Sequence, residues 1–252
     1  NEKRQLIEEY GEEYGMAIFD QEYGCSFEAA NLGAILGRSL VTAEREGRIG
    51  PDVVVDHNGA PIDISGDIGF RDTAAWWFWQ RKPDGFALLG YLWGSGLDAE
   101  DWCEKLKAYL AAGRWRLGTI WLPQDARART FRSKRSSVEV FLEAFGAEHI
   151  DVTPPVRIAD RINAARRIMK SCHFNTEATE HGRDGLSGWS FDYNEETKTF
   201  SRDPKHDEHS HPGDAFSYGA TVMQEHKIVK PEDNVVPIRS LTVGANTMTL
   251  DD

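Results

Sequence analysis

The run Thr73-Ala-Ala-Trp-Trp-Phe-Trp79 constrains the fold more than any other stretch of this chain. Successive side chains of a strand face opposite ways, so Trp76 and Phe78 point to one side and Trp77 and Trp79 to the other. A strand that is apolar on both faces must be covered on both faces. It therefore belongs at the centre of a layered sheet. Just before it, Ile62 and Ile64 alternate with Asp63 and Ser65 as a half-buried strand that ends at Asp67. Just after it, Asp84-Gly85 turns the chain into a third strand, Phe86 to Trp93. Connections this short make the three strands antiparallel neighbours.

Helices then alternate with strands. A helix is expected from Asp98, its N-cap, to Ala112, with Trp102, Leu106, Tyr109 and Leu110 on one face and Gly113 as its stop. Leu117 to Leu122 is a fourth strand, brought parallel by the helical crossover, and it delivers Asp125. Ser136 and Glu139 form a capping box for a helix with Val138, Phe141, Leu142 and Phe145 as its core stripe, stopped by Gly146. Ile150 to Val152 is a short fifth strand. Pro154-Pro155 opens a helix with Ile158, Ile162, Ala165 and Met169 on its apolar face. Three antiparallel strands followed by alternating helices and strands describe an α/β fold, an RNase H-like mixed β-sheet flanked by helices. A β-hairpin, Trp189 to Tyr193 and Thr197 to Phe200 joined through Asn194, is inserted before the last helix, expected from Ala215 to about Glu225.

The flanking regions are weaker in pattern. Residues 1–20 read as an acidic helix and residues 29–36 as a small-residue helix, while residues 41–60 are polar, with Gly50-Pro51 and Asn58-Gly59 as turn signals. The expected division is 1–50 as a linker or the end of a preceding domain, 51–226 as the folded domain and 227–252 as a disordered tail without periodicity. The chain opens on Asn1 rather than Met, as expected of a piece of a longer protein. Cys25, Cys103 and Cys172 are odd in number and far apart, which suits a reducing compartment. No stretch approaches the ~20 apolar residues of a membrane span. A net charge of -12 argues against a protein that coats nucleic acid non-specifically, though not against a local basic groove.

The chemistry lies in three carboxylates. Asp67 ends the first strand, Asp125 follows the fourth, and Asp214 opens the last helix. In an RNase H-like sheet the first and fourth strands are neighbours, which places Asp67 beside Asp125, and a helix packed across the sheet can bring Asp214 to them. Like charges about 4 Å apart repel by ~4 kcal/mol at an effective dielectric near 20. Such a cluster takes up protons or binds cations, and oxygen ligands select Mg²⁺ or Mn²⁺. Two such ions activate a water and stabilise the leaving oxygen in phosphodiester cleavage. Taken singly, each aspartate reads more simply: Asp67 as a turn, Asp125 as the start of a polar loop, Asp214 as a helix cap. Asp72 is either a further ligand or a solvated turn residue.

Arg127, Arg129, Arg132, Lys134 and Arg135 follow Asp125 with no acid among them. Beside a metal site they read as a cradle for a phosphate backbone; alone, as a solvated basic loop. Arg157, Arg161, Arg166, Arg167 and Lys170 read better as an ordinary charged helix face. His206, His209 and His211 have no cysteine near them and suit a place near the metals or DNA better than a zinc site.

Four segments together resemble the nuclease part of the large terminase subunit of tailed bacteriophages: residues 21–30, residues 66–75, Leu122-Pro-Gln-Asp-Ala126 and His211-Pro-Gly-Asp-Ala-Phe-Ser-Tyr218. The resemblance covers about residues 15–225. It implies an endonuclease that needs divalent metal and cuts double-stranded concatemers of viral DNA during genome packaging in the host cytoplasm. It places the acidic ligands at Asp67, Asp125 and Asp214, and a hairpin bearing on DNA access at about 187–201. It also implies an ATPase motor domain, a portal and a small terminase subunit as partners. Gln124 stands where that family often has histidine, and the Gly-x-x-x-x-Gly-Lys-Ser/Thr loop of a motor does not occur here. The rival readings are a resolvase-like nuclease of the same fold and a non-catalytic module that couples DNA or the portal to the motor.

Overall fold

In the computed structural model, which describes residues 33–69, 73–128, 135–194, 196–197 and 199–225, the tryptophan run lies at the centre of the sheet. The strands are β1 (Ile49–Gly50), β2 (Ile62–Asp67), β3 (Thr73–Lys82), β4 (Gly85–Ser95), β5 (Leu117–Leu122), β6 (Ile150–Val152) and β7 (Cys172–Asn175). They are ordered β1-β7-β4-β3-β2-β5-β6. β3 runs antiparallel to β2 and β4, whereas β2 with β5, β5 with β6, β4 with β7 and β1 with β7 are parallel pairs. The short turns on either side of β3 and the helical crossover before β5 produce this arrangement.

Trp76, Trp77, Phe78 and Trp79 are all fully buried, and they divide between two cores as strand alternation requires. Trp77 and Trp79 pack under α1 (Gly37–Arg45), α4 (Ile158–Met169), α5 (Glu180–Gly188) and α6 (Ser210–Glu225). Trp76 and Phe78 pack under α2 (Ala99–Gly113) and α3 (Ser137–Phe145). The expected caps are in place. Asp98 and Asp101 close a capping box on α2, and Ser136 and Glu139 close one on α3.

Several elements differ from expectation. Residues 33–50, expected in the linker, contribute Ile35, Leu36, Leu40 and Ala43 to the core and β1 to the sheet edge. β7 is only four residues long, too short to leave a period, yet its Cys172 and Phe174 are buried. α5 reads as polar sequence because glycines make its contacts: a Cβ on Gly182 would stand 2.5 Å from the Trp77 ring, and one on Gly185 would stand 2.2 Å from Pro212. Trp189, expected in the hairpin, is instead a core residue beneath Gly213. The hairpin itself is β8 (Phe191–Asn194) with β9 (Thr199–Pro204). The last helix starts at Ser210, five residues before Ala215, where it was expected, so Asp214 lies in its second turn rather than at its cap. The expected tail 227–252, the acidic helix 1–20, and Asp72 lie outside the described residues.

Candidate active site

Two of the three carboxylates are delivered by adjacent strands. β2 and β5 pair in parallel, with Ser65 opposite Trp121, so both chains leave the sheet at the same end. Asp67 is the last residue of β2, and Asp125 lies in the 3-10 turn Gln124–Arg127 just beyond β5. Asp214 arrives on α6, which crosses β2 and β3 on the Trp77 face.

Polar groups inside the core fix how α6 lies. The Trp77 indole donates from Nε1 to the Pro212 carbonyl at 3.0 Å. Trp79 Nε1 donates to Ser65 Oγ at 2.8 Å, and Ser65 Oγ donates to the Ala215 carbonyl at 2.8 Å. Gly219 lets the helix come this close: a Cβ there would stand 2.6 Å from Ser65 Oγ and 2.7 Å from the Trp79 ring. Buried groups satisfied in this way hold one register of helix against sheet. Asp214 sits between the two carbonyl anchors.

Each carboxylate has a charged or polar neighbour. Asp67 Oδ2 is 3.0 Å from His211 Nδ1, and its side chain is 18% exposed. Asp214 Oδ1 is 3.3 Å from Arg161 on α4, and this arginine is only 11% exposed. Arg161 also donates to Ser217 Oγ at 3.3 Å and lies 4.3 Å from the centre of the Tyr218 ring. Burial pushes the Asp214 carboxyl up to about 6; Arg161 opposes that shift and Asp67 adds to it. Asp125 is exposed at the rim, but partial burial and the charge of Asp67 raise its pKa as well. Burial, opposed by Arg161, likewise pushes Tyr218 up to about 12. Asp67 thus disfavours the ionised form of both other aspartates, as a like charge nearby does.

Among the described residues, no three acid, histidine or cysteine side chains stand together as a finished metal cage. The donor chemistry nevertheless suits a hard divalent ion: carboxylate oxygens that destabilise one another, next to two open clefts. One cleft, of about 520 Å³, runs from Asp125 to Arg161 and Tyr218. The other, of about 350 Å³, lies beside His211 and His206 against Thr73 and Ser95.

The other expected site residues are scattered. Arg127 is exposed on the turn next to Asp125. Arg135 is engaged by Glu100 and Glu143, of α2 and α3. Arg129, Arg132 and Lys134 lie outside the described residues. His206 and His211 are ring neighbours at 5.8 Å, whereas His209 packs against Gly188. Arg161, expected on a charged helix face, is a buried partner of Asp214.

No protein-family model matches the sequence, and no curated protein matches it. Solved structures do match its fold. The large terminase of a thermophilic bacteriophage aligns over 71% of this chain with a TM-score of 0.54 at 13% identity. The nuclease domain of bacteriophage P22 large terminase aligns over 71% of this chain and 89% of its own, with a TM-score of 0.51 at 14% identity. The nuclease domain of the bacteriophage SPP1 large terminase, solved with bound Mn, aligns over 71% and 96%, with a TM-score of 0.50 at 12% identity.

The fold is that of a large-terminase nuclease domain. The chain spans 43% of the thermophilic phage's terminase but nearly all of the SPP1 nuclease domain. The RNase H-like sheet read from the strand order is therefore the sheet that the terminase nucleases share.

Proposed function

We propose that this chain is a divalent-metal-dependent endonuclease of the terminase type, cutting double-stranded viral DNA concatemers during genome packaging. The observation that supports the proposal is electrostatic: the charge of Asp67, at the end of β2, raises the pKa of both Asp125, just beyond β5, and Asp214 on α6. These three residues would supply the oxygen ligands for Mg²⁺ or Mn²⁺. When bound, two such ions activate water and stabilise the leaving oxygen of a phosphodiester. The manganese in the SPP1 nuclease domain supports this choice of ion.

The chain's own residues prepare that site. His211 orients Asp67, Arg161 holds Asp214, and the Ser65 hydrogen bonds keep α6 at a fixed height above the sheet. Arg127 stands beside Asp125 as the described part of the phosphate cradle, with Arg129, Arg132, Lys134 and Arg135 completing it in the proposal. Asp72 is a candidate further ligand. In the longer protein, an ATPase motor domain, the portal and a small terminase subunit are the proposed partners, in the host cytoplasm. The net charge of -12 makes the isolated chain a weak DNA binder that relies on those partners to hold the substrate.

Plasmid nicking and linearisation with Mn²⁺, Mg²⁺ or EDTA tests the proposal. Cutting should require metal and disappear in Asp67→Ala. Equal cutting by the variant would place the catalyst elsewhere, and no cutting by folded wild type at high concentration would favour a coupling module.

A further inference from the structure

Trp93, near the end of β4, does not bury its ring. It is 46% exposed, and among the described residues no other tryptophan is as open. A ring of this size left in solvent forgoes much of the stabilisation that burial gives. It is nonetheless held in place. Exposed His181, on α5, stacks on it with ring centres 4.1 Å apart and planes 15° from parallel. The same imidazole lies 5.9 Å from the Tyr91 ring at 12°. The three rings form a ladder from buried Tyr91 to exposed Trp93. Gly182 allows it, because a Cβ there would stand 2.7 Å from Tyr91.

The ladder shares a row of the sheet with Asp67. Asp67 pairs with Ala75 and Ala75 with Trp93, so all three face the same way. Two strand spacings, about 10 Å, separate the outer two. Burial and, after it, the charge of Asp67 push the Tyr91 phenol up. Two residues beyond Trp93 on that face, Ser95 opens the cleft of about 350 Å³ that reaches His211, the partner of Asp67. The cleft also carries Thr73, His206, Asp207 and Glu208 and, among the described residues, no lysine or arginine. Its two acids repel a phosphate, whereas its hydroxyls and imidazoles suit the uncharged edge of a nucleobase.

We infer that Trp93 is the stacking platform for a nucleobase taken out of the DNA stack beside the bond that the carboxylates cut, with the base edge turned toward Thr73, Ser95 and His206. The inference rests on the nuclease reading above and names the form of DNA on which it acts, a strand locally unpaired at the site of cutting. Every base has a π-face, so a tryptophan platform holds any of them without reading sequence. Pulling a base from an intact duplex costs free energy that a mismatched or single-stranded base does not. The site therefore favours DNA in which a base is already free.

The test measures anisotropy of fluorescein-labelled DNA in EDTA across a salt titration, with melting temperatures taken in parallel. One sequence is used as a single strand, as a perfect duplex and as a duplex with a central mismatch. Wild type should bind the single strand and the mismatched duplex more tightly than the perfect one. Trp93→Leu keeps an apolar side chain at a half-open position and should fold like wild type. It should bind the single strand about fivefold to a hundredfold more weakly, with the salt slope unchanged because no charge is lost. Trp93→Phe keeps a ring and should retain most of the affinity. Leucine and phenylalanine variants that bind alike would make Trp93 a merely apolar patch and overturn the inference. An equal loss for all three DNAs would show contact with the backbone rather than with a freed base, and would overturn it too. Metal-dependent cutting lost in Asp67→Ala, with both Trp93 variants binding every DNA like wild type, would leave the nuclease reading standing without the platform. Ring-dependent binding of the single strand by a folded wild type that never cuts would keep the platform and remove the nuclease.

Discussion

Asp214→Asn should stabilise the fold at neutral and alkaline pH while destroying its proposed metal chemistry. Burial and the Asp67 charge hold the Asp214 carboxyl at about 6 in spite of Arg161. An unfolded aspartate titrates near 3.9. A folded-state pKa raised above the unfolded one means that the native state favours the protonated form. The stability contributed by that proton is complete below about pH 4 and is lost as pH rises through about 6. A difference of about two pH units corresponds to at most about 3 kcal/mol. The side chain keeps 30% of its surface in solvent, so screening reduces the effect to about 1–2 kcal/mol. Asparagine mimics the protonated acid at every pH. Thermal melts of wild type and variant should therefore coincide near pH 4 and diverge above pH 6, the variant melting about 2–8 °C higher at pH 8 in EDTA. Mn²⁺ should narrow the gap by stabilising only the wild type. A variant that melts lower than wild type at pH 8 would refute the reasoning. The Arg161 ion pair would then outweigh the burial and repulsion that Asp214 suffers.

Other outcomes follow from the same contacts. Mn²⁺ affinity, measured by calorimetry, should fall as pH drops below about 6, because protons then compete for Asp214; flat affinity from pH 7 to 5 would exclude Asp214 as a ligand. Ser65→Ala strands the Trp79 indole N–H in the core and should cost about 1–3 kcal/mol in denaturant unfolding. Gly219→Ala drives a methyl into Ser65 and the Trp79 ring and should cost about 1–3 kcal/mol. Because it lifts α6 off the sheet, it should also lower metal-dependent cutting, and unchanged cutting would show that the height of α6 does not matter.

How much of this was legible from the sequence differs from residue to residue. The centre of the sheet was legible because Trp76 to Trp79 bury both faces of one strand, a pattern with few solutions. Asp67 and Asp125 could be placed in the fold because one ends a strand of clear periodicity and the other follows just after one. The place of Asp214 in the fold was legible only in part, because its helix begins earlier than expected: Ser210, His211, Pro212 and Gly213 look like loop and are the first turn of α6. Arg161 was misread as surface, although a signal existed. It lies three residues after Ile158 and one before Ile162, on the apolar stripe of α4, where a charge needs a buried partner. The anchors of α6 were not legible. Nothing in the spacing of Trp77, Trp79 and Ser65 reveals that the two indoles hydrogen-bond to a helix more than 130 residues away and to its serine anchor. β7 and α5 escaped for opposite reasons, one too short for a period and the other packed through glycines that carry no hydrophobic signal.

The central claim is that Asp67, Asp125 and Asp214 together hold divalent metal. An anomalous difference map from a crystal soaked in Mn²⁺ tests it most directly. The account predicts strong density within ligand distance of Asp67 and at least one of Asp125 and Asp214, with Arg161 or His211 displaced from its present partner. Density elsewhere, or none at saturating Mn²⁺ in a crystal with these side chains ordered, would contradict it.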